Sequence, residues 1–193
     1  MKRLLIGITG SPGTGKSHLA KRLGKTLPDA TILELNLIAK KKGLFLGVDS
    51  DGAKIVDLKR LSSTARNEAR RNKKTTILVG HLVPELELKY DIIVVMRANL
   101  QVLEKRLSVR HYKKKKLSDN LVCEALDYCG LLCKKKAKEV YEVETEKEKR
   151  LAIEYITKVA SGKKARKPKA RTINKMGELL GLLKKGQILQ VSP

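Results

Sequence analysis

Eight consecutive residues near the start of the chain, Gly10-Ser11-Pro12-Gly13-Thr14-Gly15-Lys16-Ser17, satisfy the pattern G-x-x-x-x-G-K-[ST] without a mismatch. Each residue type has a chemical reason to be there. The glycines let the backbone wrap phosphate oxygens with N–H groups. A helix beginning near Lys16 adds its positive end. Lys16 is placed to reach the β- and γ-phosphates of a nucleoside triphosphate, and the Ser17 hydroxyl to complete a magnesium shell. The expectation is a P-loop that binds ATP with Mg2+.

Such a loop needs a buried strand before it and a helix after it, and both patterns are present. Arg3–Ile8 is a short apolar strand pattern, and Lys16–Leu27 has helical spacing ending at Pro28. Further strands are expected at Thr31–Leu35, Thr76–Val79 and Asp91–Met96, with an alternating segment at Val140–Val143. Helices are expected at Glu34–Lys42, Leu58–Asn72, Asn99–Val109 with Asn99 as cap, Ser118–Lys138 and Lys147–Ala160. Continuous apolar strands alternating with helices predict an α/β fold, a parallel sheet of about five strands covered on both faces. After Ser161-Gly162 the composition changes: Lys163–Arg171 holds six basic residues. Ile173, Met176, Leu179, Leu180 and Leu183 then mark one face of a short amphipathic helix. Residues 1–162 are read as the nucleotide domain. Residues 163–193 are read as an extension, either docked on the body or an arm for RNA or a protein partner.

The 193 residues suffice for one α/β domain. Cys123, Cys129 and Cys133 are odd in number and closely spaced, which excludes a disulfide framework and suits one packed helix face in a reducing compartment. No apolar run is long enough to span a bilayer, so a cytoplasmic protein is expected. The formal net charge of +23, from 43 basic and 20 acidic residues, favours polyanionic partners. The lack of Trp and near-lack of Phe favour phosphate contacts over base stacking.

An early P-loop on a body this short points to small nucleotide or metabolite kinases. These need an acceptor pocket, here about residues 34–57, and a basic lid, here about residues 109–119. Arg106, Arg110, His111, Tyr112 and Lys113–Lys116 are the lid candidates. The P-loop, Arg106-Leu107-Ser108-Val109-Arg110-His111-Tyr112, and Lys116-Leu117-Ser118-Asp119-Asn120 before a helix containing Cys123-Glu124 together resemble the adenylate kinase isoenzyme 6 family, in the form of an archaeal member. The likeness spans roughly residues 3–160. It implies a broad-specificity nucleoside monophosphate kinase with ATPase activity. It further implies a role in small ribosomal subunit maturation and rRNA processing, in association with ribosomal protein uS11. By the same resemblance Gly13, Thr14, Gly15, Lys16, Ser17 and, through its backbone, His18 would line the ATP phosphates. Arg110 would be the lid arginine, and His81 the histidine of a D-x-H motif.

The chain departs from that pattern twice. Val79-Gly80-His81 stands where D-x-H is expected, so a carboxylate that would act through the metal shell is missing; Asp49, Asp51 and Asp57 are candidates to replace it. No arginine lies between Lys25 and Lys59 to clamp an acceptor phosphate, which leaves Arg60, Arg66 or Lys54. Two other readings stay open: a nucleotide-switched assembly factor with little kinase activity, and a small-metabolite kinase of the shikimate kinase type.

Overall fold

The computed structural model describes residues 2–50, 52–72, 74–110, 114–168, 173–184 and 186. Seven strands and eight helices alternate along these residues: β1 (Leu5–Thr9), α1 (Lys16–Thr26), β2 (Thr31–Glu34), α2 (Leu35–Lys41), β3 (Phe45–Val48), β4 (Lys54–Val56), α3 (Leu58–Arg71), β5 (Thr76–Val79), β6 (Tyr90–Met96), α4 (Leu100–Ser108), α5 (Lys114–Ala125), α6 (Tyr128–Cys133), β7 (Ala137–Val143), α7 (Glu146–Ala160) and α8 (Met176–Lys184). Five strands form one sheet in the order β2-β5-β1-β6-β7, and every pairing in it is parallel. The sheet bears out the expected fold class.

Successive strand residues serve opposite faces, as the two-residue repeat of a strand requires. Ile6, Ile8, Ile77, Ile92 and Val94 pack with Leu19 and Leu23 of α1 and Ala152 and Ile156 of α7. Leu78, Ile93 and Val95 pack on the other side with Leu35 of α2, Leu61 and Ala65 of α3 and Cys133 of α6. Each such fully buried aliphatic side chain is worth about 1.5–3 kcal/mol. A third cluster lies off the sheet, where Leu100, Leu103 and Leu107 of α4 meet Leu121 of α5 and Leu179 and Leu182 of α8. The carboxy-terminal helix is thus packed on the body.

Local signals set the helix starts. The Asn99 side chain accepts from the N–H groups of Gln101 and Val102, at 3.0 and 3.2 Å, as expected of a cap. Thr145 and Glu148 form a reciprocal capping box on α7.

Two local expectations are corrected, and one element, the β3–β4 hairpin, carries no signal in the sequence. The apolar spacing over Ser118–Lys138 predicts one helix, but α5 stops at Ala125, α6 spans only Tyr128–Cys133, and β7 begins at Ala137. The break falls at Asp127, whose φ of 56° is left-handed. Its carboxylate pairs with Arg97 of the neighbouring loop, a long-range contact that no local pattern encodes. The three cysteines consequently do not share one face. Cys123 is exposed on α5, whereas Cys129 and Cys133 lie on α6, half-buried and buried. Residues 45–56 form an antiparallel β3–β4 hairpin, most of whose side chains are exposed.

Candidate functional site

The carboxyl ends of β1, β5, β6 and β7 share one edge of the sheet, the edge at which doubly wound folds place their ligands. The P-loop leaves β1 there. Gly10 has a φ of 132°, and a Cβ at this position would stand 2.2 Å from the Met96 carbonyl oxygen, so only glycine can pass the end of β6. Gly13, at φ 89°, has the same requirement: its Cβ would meet Leu103 Cδ1 at 2.8 Å. Gly15 caps α1 and offers no side chain to take up the first-turn N–H groups. The Lys16 ammonium arches back over the loop and donates to the Gly10 and Ser11 carbonyls, each at 2.9 Å. Burial lowers its pKa to about 8, with Cys129 and Glu124 opposing the shift and Arg110 adding to it.

Above the loop lies a cavity of about 910 Å³, at the upper end of the range for ligand pockets. Pro12 to His18, His81, Arg106, Arg110, Lys116 and Asn120 line it, together with Asn36, Met96, Glu146 and Lys149. The structure therefore brings Gly13, Thr14, Gly15, Lys16, Ser17, His18, His81 and Arg110 to one space. Thr14 differs from its neighbours. Its side chain is buried and donates to the Ser11 carbonyl at 2.8 Å, with its own N–H on the same oxygen at 3.3 Å, so it braces the loop and presents no hydroxyl to a ligand. Arg106 reaches the loop directly, its guanidinium donating to the Gly13 carbonyl at 3.0 Å. Lys114–Lys116 open helix α5 rather than forming a loop. His111, Tyr112 and Lys113 lie outside the described residues.

His81 follows β5 and its backbone carbonyl accepts from the Thr9 hydroxyl at 3.4 Å. Burial lowers its pKa to about 4, and the nearby Lys16 and Lys116 ammonium groups push the same way, so the imidazole is neutral near pH 7.

Two of the three expected substitutes for the missing carboxylate, Asp49 and Asp57, do not line the cavity. Asp57 is the cap of α3 and accepts from Arg60 N at 2.9 Å, while Asp49 accepts from Ala53 N at 2.8 Å within the β3–β4 turn. Asp51 lies outside the described residues. Among the described residues Glu146 is the one carboxylate lining the cavity, and it pairs with Arg22 and Lys149. With Glu146 already paired, the described lining would fit a magnesium ion that took water and phosphate oxygens for most of its ligands, the Ser17 hydroxyl being a protein donor within reach of such an ion.

The acceptor-side cations are also absent from the described lining. Arg66 lies at the opposite end of the sheet, beside Arg3 and Arg70 on a separate cavity of about 470 Å³, and donates to the Glu87 carbonyl. The Lys54 ammonium sits 4.9 Å from the centre of the Phe45 ring. Arg60 is exposed and does not line the cavity.

Beneath the loop lies a buried ionic cluster. Arg97, fully buried at the end of β6, faces three carboxylates: Glu124 at 2.8 Å, Glu142 at 3.0 Å, and Asp127. The second oxygen of Glu124 accepts from the Ser11 hydroxyl at 2.7 Å, and its first also accepts from Ala98 N at 3.1 Å. Burial raises the pKa of Asp127 and of Glu142 against the opposing pull of Arg97. Of this cluster only Glu124 belongs to a sequence signal, as half of the Cys123-Glu124 pair. Asn36, Glu146 and Lys149 carried no signal, since they reach the cavity from helices distant in sequence.

Fold and cleft together define an α/β P-loop protein of the nucleoside monophosphate kinase-like class. The chain matches the AAA domain family over residues 6–127. It is 38% identical over 141 residues to a protein of Methanocaldococcus jannaschii named "Putative adenylate kinase", covering 72% of this chain and 76% of that one. An Archaeoglobus fulgidus protein of the same name is 37% identical over 143 residues, covering 74% and 73%. The chain belongs to this archaeal adenylate kinase-like family. Among solved structures, shikimate kinase from Acinetobacter baumannii in complex with shikimate superposes with a TM-score of 0.59 at 16% identity, covering 85% of this chain and 97% of that one. That likeness is one of fold alone.

Proposed function

We propose that this chain is a nucleoside monophosphate kinase of the adenylate kinase isoenzyme 6 type, transferring the terminal phosphoryl group of ATP to AMP and related monophosphates and also hydrolysing ATP. The observation that carries this reading is the convergence of the P-loop, Arg106, Arg110 and His81 on one cavity of about 910 Å³. The archaeal relatives' name supports the choice of acceptor.

The backbone of Gly13, Thr14, Gly15 and His18 would hold the phosphates. Lys16 and Arg110 would neutralise the charge that develops on the transferring group. Magnesium, held by Ser17 and the phosphates, would supply further neutralisation of the β- and γ-oxygens. An oxygen of the acceptor phosphate attacks the γ-phosphorus, the bond to the bridging oxygen breaks, and ADP leaves with that electron pair. His81, neutral near pH 7, is suited to position the attacking oxygen rather than to carry charge. In this reading residues 1–162 form the kinase domain, with acceptor contacts from residues 34–57 and lid contacts from residues 109–119. The basic surface and residues 163–193 support a cytoplasmic role in small-subunit maturation, with uS11 and rRNA as partners.

A coupled assay with AMP, CMP and dAMP tests transfer, with Lys16→Ala as the inactive control; ADP formation no faster than without acceptor would sink it. A second reading, an ATPase that switches an assembly partner, is favoured by Val79 in place of the acid and by the lack of acceptor-side arginines among the described lining residues. Binding to uS11 that is indifferent to ATP would count against that switch.

A further inference from the structure

Among the described residues the carboxy-terminal helix contributes nothing to the lining of the nucleotide cavity, yet two continuous routes join it to the P-loop. The first is polar. The Ile173 N–H donates to Glu142 at 3.0 Å, Arg97 donates to the same Glu142 oxygen at 3.0 Å and to Glu124 at 2.8 Å, and Glu124 accepts from the Ser11 hydroxyl at 2.7 Å. Every side chain along it is nearly or fully withdrawn from water. The second is apolar. Leu179 and Leu182 of α8 complete the cluster that contains Leu103 and Leu107 of α4. Those two leucines, with Arg106, also border the space that a Cβ on Gly13 would occupy. Glu178 fixes α4 from the same side by accepting from Leu100 N at 2.8 Å.

The docking of α8 is specific rather than a hydrophobic tail lying on a surface. Lys175 is buried to 3% exposure and is held by Glu178 at 3.1 Å and by Glu144. Withdrawing an ammonium from water is costly unless its partners are in place, so this geometry is favourable in one arrangement only. We propose that residues 173–184 are a positioning element of the nucleotide site: docking of α8 sets the P-loop geometry, and occupancy of the P-loop in turn tightens the docking. The reciprocity follows from linkage, because two sites that share one coupling free energy change each other's affinity by the same factor. The inference rests on nucleotide binding at the P-loop but not on which acceptor, if any, receives the phosphate.

The test uses the full chain. Leu182, at 1% exposure, and Leu180, at 52% exposure, lie two residues apart on the inner and outer faces of α8, so Leu182 takes the packed position that the apolar spacing assigned to Leu180. Leu182→Asp should undock the helix and weaken ATP binding by about five-fold or more, the lower end of measured couplings, while Leu180→Asp leaves ATP affinity within two-fold. In the unmodified chain, saturating ATP–Mg should slow hydrogen exchange at the amides of residues 176–184 by a comparable factor. Exchange in α8 that ignores ATP would overturn the coupling, and so would a Leu182→Asp chain with an undocked helix and full ATP affinity. Should Leu182→Asp fail to fold, the exchange measurement on the unmodified chain decides alone. If the unmodified chain fails to bind ATP at all, the nucleotide reading falls and the coupling with it; binding without protection of α8 sinks the coupling alone.

Discussion

Glu124 is the residue whose loss the structure lets us price most closely. Replacing it with alanine strips an acceptor from three donors at once: the Ser11 hydroxyl at 2.7 Å, Arg97 Nε at 2.8 Å and Ala98 N at 3.1 Å. Removing one partner of a buried ion pair costs about 3–5 kcal/mol when the remaining charge is stranded. Here Arg97 keeps Asp127 and Glu142, and one of its nitrogens still donates to the Glu124 backbone carbonyl at 2.6 Å. The cost should therefore fall below that range, at about 2–3 kcal/mol, with two neutral donors still unpaired. Glu124→Gln retains an oxygen for Arg97 and Ala98 and presents an amide to Ser11, whose hydroxyl can turn and accept. It should lose about 1.5 kcal/mol, the low end for a hydrogen bond to a charged group. Urea unfolding followed by circular dichroism measures both, with the slope checked for constancy so that a changed midpoint reports stability. A loss below about 1 kcal/mol for the alanine variant, or equal losses for both variants, would refute the account. Either result would mean that Ser11 and Arg97 find other acceptors without strain.

Three more outcomes follow from the geometry. Gly13→Ala must place a methyl 2.8 Å from Leu103 Cδ1 in a left-handed conformation, so it should cost about 2–4 kcal/mol and weaken ATP binding; a stable, fully binding variant would contradict the packing described. His81 has a folded pKa of about 4 against 6.5 unfolded, so it stabilises the fold fully above pH 6.5, and that increment, at most about 3 kcal/mol, drains away as pH falls toward 4. The gap in unfolding free energy between the native chain and His81→Gln should shrink over that window, and a constant gap would show that the histidine is not held neutral. Thr145→Ala removes the cap of α7 and should cost about 1 kcal/mol in urea unfolding, an unchanged midpoint being the contrary result.

The parts legible in the sequence are those whose cause is local. The P-loop is one contiguous stretch, and the left-handed turns at Gly10 and Gly13 demand glycine by themselves. Ile77 to Val79 and Ile92 to Met96 are buried on both faces, so their continuous apolar runs can scarcely be anything but central strands. The misreading of Ser118–Lys138 has the opposite origin. Leu121, Ala125, Cys129 and Cys133 keep a four-residue spacing straight through the bend, and the bend exists because Arg97, far away in the chain, holds Asp127. The site divides the same way. Lys16, Ser17 and Arg110 were visible by motif and resemblance, whereas Asn36 from α2 and Glu146 and Lys149 from α7 enter the cavity only through the order of strands in the sheet.

The cluster around Arg97 also governs how the molecule looks from outside. It gathers three carboxylates and a single guanidinium into the interior, so some of the chain's few acids never meet the solvent. The skin of the protein is accordingly more cationic than the formal +23 of the sequence. Dissolved ions therefore crowd a shell whose charge balance differs from the bookkeeping of the chain. Weak salt should make the folded particle easier to hold together, by screening a self-repulsion that its interior has made sharper.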